Sequence, residues 1–211
     1  PWENYIPADG RFWVAKATSV KSKLFSPSDI QSIMKKAIVE RLKKTYKIEW
    51  FPEDGNDYPI RVTLMKDEVT IGIDTTGESL HKRGYRKLTS KAPISETLAA
   101  GLIMLTPWNK DRILIDPFCG SGTIPIEAAL IGANIAPGIN RSFLSESWTE
   151  LVPKKAWYEA IEEANDIRRK SVEMTIQGYD IDGEIIKAAR QNAVMAEVEQ
   201  YIHFQQRSVS Q

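Results

Sequence analysis

Residues 113–138 read ILIDPFCGSGTIPIEAALIGANIAPG, an apolar strand, a glycine-rich turn and a helical run in direct succession. That order narrows the fold more than any other feature of the chain. A strand that turns through glycines straight into a helix is a corner of an open α/β sheet, and such sheets bind ligands at that edge. Gly120 and Gly122 allow the backbone to approach a ligand, and the helix behind them offers amides with no partner of their own. Ile113, Leu114 and Ile115 form a continuous apolar run, which predicts a strand covered on both faces.

The turn discriminates between ligands. A phosphate loop needs a lysine followed by serine or threonine after its last glycine, but Thr123 and Ile124 follow Gly122, so that reading fails. A dinucleotide fingerprint needs glycine at 125, where Pro125 stands, and is disfavoured. S-adenosylmethionine suits the residues better. Asp116 before the glycines can hold an ammonium, which a pyrophosphate would not want, while the loop amides face the carboxylate and sulfonium. A second acid, Asp180, ends the strand-like TIQGYD and can accept hydrogen bonds from ribose hydroxyls, with Ile181 against the adenine. The alternative is that Asp180 or Asp182 only caps the helix that begins near Gly183.

The rest of the chain supplies a frame for this corner. Residues 12–20 have strand composition, and SPSDIQSIMKKAIVERLKKTYK predicts a helix capped by Ser26 or Ser28. Its apolar face is Ile30, Ile33, Met34, Ala37, Ile38 and Leu42, and its other face is basic. Two alternating runs around Ile60–Leu64 and Val69–Ile73 predict a hairpin across Lys66 and Asp67. The first part therefore reads β-α-β-β. A polar stretch up to Pro93 reads as a linker. Helices at about 93–106, 123–132, 153–173 and 183–197 then alternate with strands at 112–115, 175–180 and from 201, which implies parallel βαβ units.

Composition closes off other classes. At 211 residues the chain suits one large domain or two small ones. Lys plus Arg and Asp plus Glu are 28 each, so any nucleic-acid surface must be a local basic face. A single Cys119 excludes an internal disulfide and fits a reducing, cytoplasmic setting. His81 and His203 lack metal-ligand spacing, so no metal is expected. No apolar run reaches the roughly 18 residues that span a membrane, so none is expected as a partner. A nucleophilic role for Cys119 is disfavoured by its place inside the cofactor loop. The six tryptophans read as core or interface residues.

The glycine motif, with HKRGYRKLTSKAPISETLAAGL before it and NRSFLSESW and GYDIDGEIIKAARQNA after it, closely resembles the bacterial family of THUMP-domain RNA methyltransferases. These are similar to the enzymes that methylate guanine N2 in 23S ribosomal RNA, and many members have also been named N6-adenine-specific DNA methylases. The resemblance implies an α/β fold: a partial class I, Rossmann-like methyltransferase domain over 87–211, preceded by the later part of an α+β THUMP domain over 1–86. It implies S-adenosyl-L-methionine as cofactor and RNA, with 23S rRNA as the expected target, as partner. Carried over by residue, it makes Asp116, Phe118, Gly120, Ser121, Gly122 and Thr123 the cofactor loop, with Asp180 and Ile181 contacting ribose and adenine. Ser208 stands where the family carries an acidic or polar residue near the adenine amine. The KAPISETLAA segment resembles the one that closes over the methionine end.

The family's amine-methylating signature, Asn-Pro-Pro-Tyr, is absent from these residues, so no catalytic residue is assigned and the chain is expected to be part of a longer enzyme. Lys21, Lys23, Lys35, Lys36, Arg83 and Arg86 are the expected RNA contacts, through phosphates. For the helix lysines a solvated surface stands as the alternative. The competing functions are a DNA adenine methylase, a non-catalytic RNA-binding module with a vestigial pocket, and, more remotely, a nicotinamide-dependent oxidoreductase.

Overall fold

The computed structural model describes residues 1–86 and 93–210. The last part of the expected linker, 87–92, and Gln211 lie outside the described residues. Contacts divide the chain into two units, Pro1–Gly77 with Phe143–Lys154, and Glu78–Ser142 with Lys155–Gln211. This division falls nine residues (86 minus 77) before the 86/87 boundary expected from sequence, and the first unit takes in a segment, 143–154, that the sequence assigned to the methyltransferase half. Trp148 explains the return. It is 4% exposed, stacks on Tyr58 at 4.9 Å between centroids, and its indole N–H donates to the Asp57 carbonyl at 3.0 Å.

In the first unit β1 (Arg11–Val20), α1 (Pro27–Tyr46), β2 (Asp57–Met65) and β3 (Glu68–Ile73) follow one another, as read from the sequence. β1 lies parallel to β2, and β2 pairs antiparallel with β3. Lys66 and Asp67 both adopt positive φ, 53° and 64°, the conformation a two-residue hairpin needs even without glycine. Asp67 is held there by the Lys23 amide, which donates to its Oδ1 at 2.7 Å. Ser26 caps α1 through its hydroxyl, and Pro27 sits at the first helical position. The buried stripe of α1 is Ile30, Ile38 and Leu42, with Met34 packed against it. Ile33 stands 57% exposed and Ala37 is exposed, which corrects the broader apolar face. Residues spaced by four share one line on a helix, and a single sheet face covers only that line.

In the second unit β4 (Leu114–Asp116), β5 (Ile176–Asp180) and β6 (Ile202–Gln206) form a parallel sheet in the order β4-β5-β6. Helices α2 (Glu96–Met104), α3 (Thr123–Ala133), α4 (Lys154–Asp166) and α5 (Gly183–Met195) complete the set. α3 is the central helix, with nine buried residues. Pro125 sits in its first turn, where a missing N–H leaves no gap in the ladder. Two expectations change. Ile113 and Ile115 are 67% and 57% exposed. Only Leu114, which points the other way, packs on the core. The expected helix over 153–173 ends at Asp166. The chain then folds back on the end of α3, the Asn134 side chain donating to the Ile167 carbonyl and the Arg169 amide to that of Ala133.

Candidate functional site

Asp116 and Asp180 end the neighbouring strands β4 and β5, where Asp116 pairs in register with Gly178. Asp116 Oδ1 accepts the amide of Phe118 at 3.1 Å. Burial raises its carboxyl above the ordinary value of 3.8, the Phe118 amide pulls it back, and the charge of Asp180 adds to the rise. An aspartate so placed gains from a cationic ligand that restores the lost solvation.

Asp180 does more than the sequence suggested. Its Oδ2 accepts the Gly120 amide at 3.1 Å and its Oδ1 the Asp182 amide at 3.0 Å. The cap of α5 belongs to Asp182, whose Oδ1 accepts from Glu184 at 2.8 Å. That releases Asp180 from capping, and its remaining lone pairs can serve ribose hydroxyls. Ile181 follows, 73% exposed, its carbonyl held by Gln206 Nε2 at 3.0 Å.

The loop amides are arranged differently from the expectation. Gly120 donates to Asp180, Gly122 to the Cys119 carbonyl at 2.9 Å, and Cys119 to the Tyr179 carbonyl at 2.8 Å. These bonds consume the glycine amides and leave the opening turn of α3 as the place with amides to offer an anion. Gly120 and Gly122 serve the geometry of the turn, with φ of 52° and 86°. A Cβ on Gly122 would lie 2.8 Å from Phe204, whereas one on Gly120 would meet nothing within 4 Å. The Asn192 side chain, fully buried, donates to the Ser121 carbonyl at 3.1 Å. Sequence reasoning missed it, although an asparagine beside the apolar stripe of α5 is a signal for such a bond.

A cavity of about 280 Å³ opens at this turn, lined by Asp116, Phe118, Gly120, Ser121 and Thr123, with Pro93 and Ile94 from the segment before α2. Gly122 lies behind it. Ser121 is 3% exposed, and its hydroxyl has no hydrogen-bond partner among the described residues. A buried hydroxyl in that state is suited to a ligand. Acid at the strand end, an unpaired hydroxyl in the loop and an open helix terminus together fit an amino-acid end carrying both charges. Phe118, 72% exposed, offers a flat apolar surface beside it. Burial and then the two aspartates push the Cys119 thiol up to about 12, which disfavours the thiolate that a nucleophile needs.

The expected RNA contacts separate into two groups. Lys21, Lys23, Lys35 and Lys36 stand exposed on the first unit, Lys35 lying 3.8 Å from Glu53. Arg83 and Arg86 do not. Their side chains are 12% and 13% exposed and pair with the buried Glu127 at 3.5 Å and Glu96 at 3.0 Å. Tyr85 between them donates to Glu127 at 3.0 Å. These inward ion pairs, to Glu127 of α3 and Glu96 of α2, differ from the exposed phosphate contacts expected of both arginines. Among the described residues no His, Cys, Asp and Glu group could hold a metal, and no helix is long and apolar enough to cross a membrane.

A parallel β-α-β sheet with paired acids at adjacent strand ends and a glycine turn between them defines the cofactor-binding half of a class I methyltransferase domain. Residues 83–211 match the family described as RMKL-like, methyltransferase domain, and residues 1–74 match the THUMP domain. The chain belongs to this THUMP-bearing RMKL-like methyltransferase family. It is 48% identical over 210 residues to YpsC of Bacillus subtilis, provisionally named an RNA methyltransferase, covering 99% of this chain and 54% of that protein. It is 43% identical over 158 residues to the ribosomal RNA large subunit methyltransferase K/L of Vibrio parahaemolyticus, covering 73% of this chain and 22% of that protein. Among solved structures, a predicted N6-adenine-specific DNA methylase from Listeria monocytogenes superposes with TM-score 0.95 at 50% identity, over 100% of this chain and 55% of that one. The protein SMU.472, provisionally named a methyltransferase and solved with SAH, gives 0.90 at 43% identity, over 98% and 55%. The chain thus spans about half the length of YpsC and of these two solved chains.

Proposed function

We propose that this chain forms the RNA-contacting and cofactor-binding portion of an S-adenosylmethionine-dependent methyltransferase. Its substrate is an exocyclic base amine of RNA, guanine N2 in 23S rRNA, and it works in the cytoplasm. The observation that carries this reading is the pair of aspartates at adjacent strand ends, Asp116 braced by the Phe118 amide and Asp180 by the Gly120 amide, next to a buried Ser121 hydroxyl with no hydrogen-bond partner among the described residues. The SAH bound in the SMU.472 structure and the ribosomal RNA named for the Vibrio relative support it.

When bound, the cofactor supplies a methyl group made electrophilic by its sulfonium. The residues of this chain bind and orient it. Asp116 takes the ammonium, and Ser121 and the opening turn of α3 take the carboxylate. Asp180 takes the ribose hydroxyls, while Phe118 and Ile181 flank the adenine. Alignment of this kind accelerates a displacement between two held partners. None of the described residues is assigned to handle the base amine. Lys21, Lys23, Lys35 and Lys36 contact RNA phosphates, which gives affinity and salt dependence without sequence choice.

The test uses the protein encoded by the full gene, a cofactor labelled on its methyl group, and ribosomal RNA from cells lacking that gene. Label should enter large-subunit rRNA as N2-methylguanine and not enter unmethylated plasmid. Incorporation into DNA alone would favour the adenine-methylase reading named for the Listeria structure.

A further inference from the structure

Arg86 reaches the cofactor cavity through two of its walls. One terminal nitrogen, Nη1, donates to the Ile94 carbonyl at 2.7 Å and to Thr123 Oγ at 3.4 Å, and the other, Nη2, donates to Glu96 at 3.0 Å. Ile94 and Thr123 both line the cavity at the glycine turn. They come from different elements, Ile94 from the segment entering α2 and Thr123 from the first position of α3. Arg86 and Glu96 also line a separate polar cavity of about 560 Å³, so the pair forms part of a partition between the two.

We infer that Arg86, held by Glu96, is a positioning residue for the cofactor: it fixes the Pro93–Ile94 segment against the start of α3 and so sets the shape of the pocket at the amino-acid end. The inference rests on the functional reading above. A buried ion pair adds little net stability, because desolvation offsets its attraction. The bonds left to Arg86 beyond its carboxylate both go to the cavity wall. The planar guanidinium makes the two wall contacts and the one to Glu96 at once, which a lysine cannot reproduce. Glu96 is 2% exposed and is the first residue of α2, where a negative charge is also favoured by the helix. The neighbouring network of Arg83, Tyr85 and Glu127 is an internal comparison. It is buried in the same way, and none of its three residues lines the cavity.

The experiment titrates SAH calorimetrically into the protein encoded by the full gene and records the unliganded melting temperature of each variant. Arg86→Met/Glu96→Met removes both charges and leaves no buried carboxylate unpaired. It should melt within a few degrees of the wild type and bind SAH at least about tenfold more weakly. Arg83→Met/Tyr85→Phe/Glu127→Leu should keep wild-type affinity. If the double variant binds SAH within about twofold of wild type, the inference falls while the cofactor site stands. If the wild type binds no SAH, both fall. Should the double variant fail to fold, Arg86→Lys decides: weaker SAH binding at an unchanged melting temperature supports positioning, and unchanged affinity overturns it.

Discussion

The amide of Gly120 donates to the carboxylate of Asp180 at 3.1 Å, joining the loop after β4 to the end of β5. One side chain therefore shapes the glycine turn and is the one proposed to take the sugar of the ligand. Asp180→Ala should lower SAH affinity by more than tenfold, a loss of at least about 1.4 kcal/mol. Asp180→Asn keeps an acceptor for Gly120 and should lose less. Calorimetry on the two variants measures the difference; equal losses would mean that the amide brace contributes nothing.

Asp116 carries an electrostatic cost in the empty protein. Its carboxyl is raised by burial, so the folded state disfavours its ionised form at neutral pH and gains stability as pH falls toward the ordinary value. Asp116→Asn keeps an oxygen for the Phe118 amide and removes the charge. It should raise the unliganded melting temperature by up to about 4 °C while abolishing SAH binding. In the wild type, affinity for SAH should decline on acidification from a pH above 3.8, the ordinary aspartate value, as the carboxylate protonates. A titration series across pH 4 to 7, read against Asp116→Asn, checks the sign.

Cys119 should be unreactive and dispensable. With its thiol pushed up to about 12 and its side chain 6% exposed, alkylation at pH 8 should be slow until the protein is denatured. Cys119→Ser should retain methyl transfer within a few-fold. Loss of all activity with intact SAH binding would reopen a covalent role.

Trp148 anchors a segment that sequence order alone places elsewhere. Trp148→Ala removes the stack on Tyr58 and the bond to Asp57, and should cost about 3–5 kcal/mol of stability in the first unit. Urea unfolding followed by tyrosine and tryptophan fluorescence reports it. A loss under about 1 kcal/mol would show that the segment 143–154 is held by something else.

Elements with strong local signals were legible in the sequence. The α1 helix carried its own cap, and the hairpin at Lys66–Asp67 was readable from alternation alone. The strand-to-helix corner at the glycine turn was legible because Gly120 and Gly122 mark the positive-φ turn between β4 and α3. Three things were not. The return of Trp148 to the first unit is a long-range contact that no local pattern encodes. The inward turn of Arg83 and Arg86 depended on Glu127 and Glu96, whose burial becomes apparent only once α2 and α3 are packed. The consumption of the Gly120 amide depended on how β4 and β5 align, whereas that of Gly122 is a bond within the turn, to the Cys119 carbonyl. The partners of Trp148, Arg83 and Gly120, which are Asp57, Glu127 and Asp180, all lie far away in sequence.

The most direct measurement is a crystal structure of the protein encoded by the full gene with SAH bound. Asp116 should lie within hydrogen-bonding distance of the amino group, Asp180 within reach of both ribose hydroxyls, and Ser121 should gain a partner. SAH lodged away from the turn, or Asp116 and Asp180 both out of contact with it, would contradict the account.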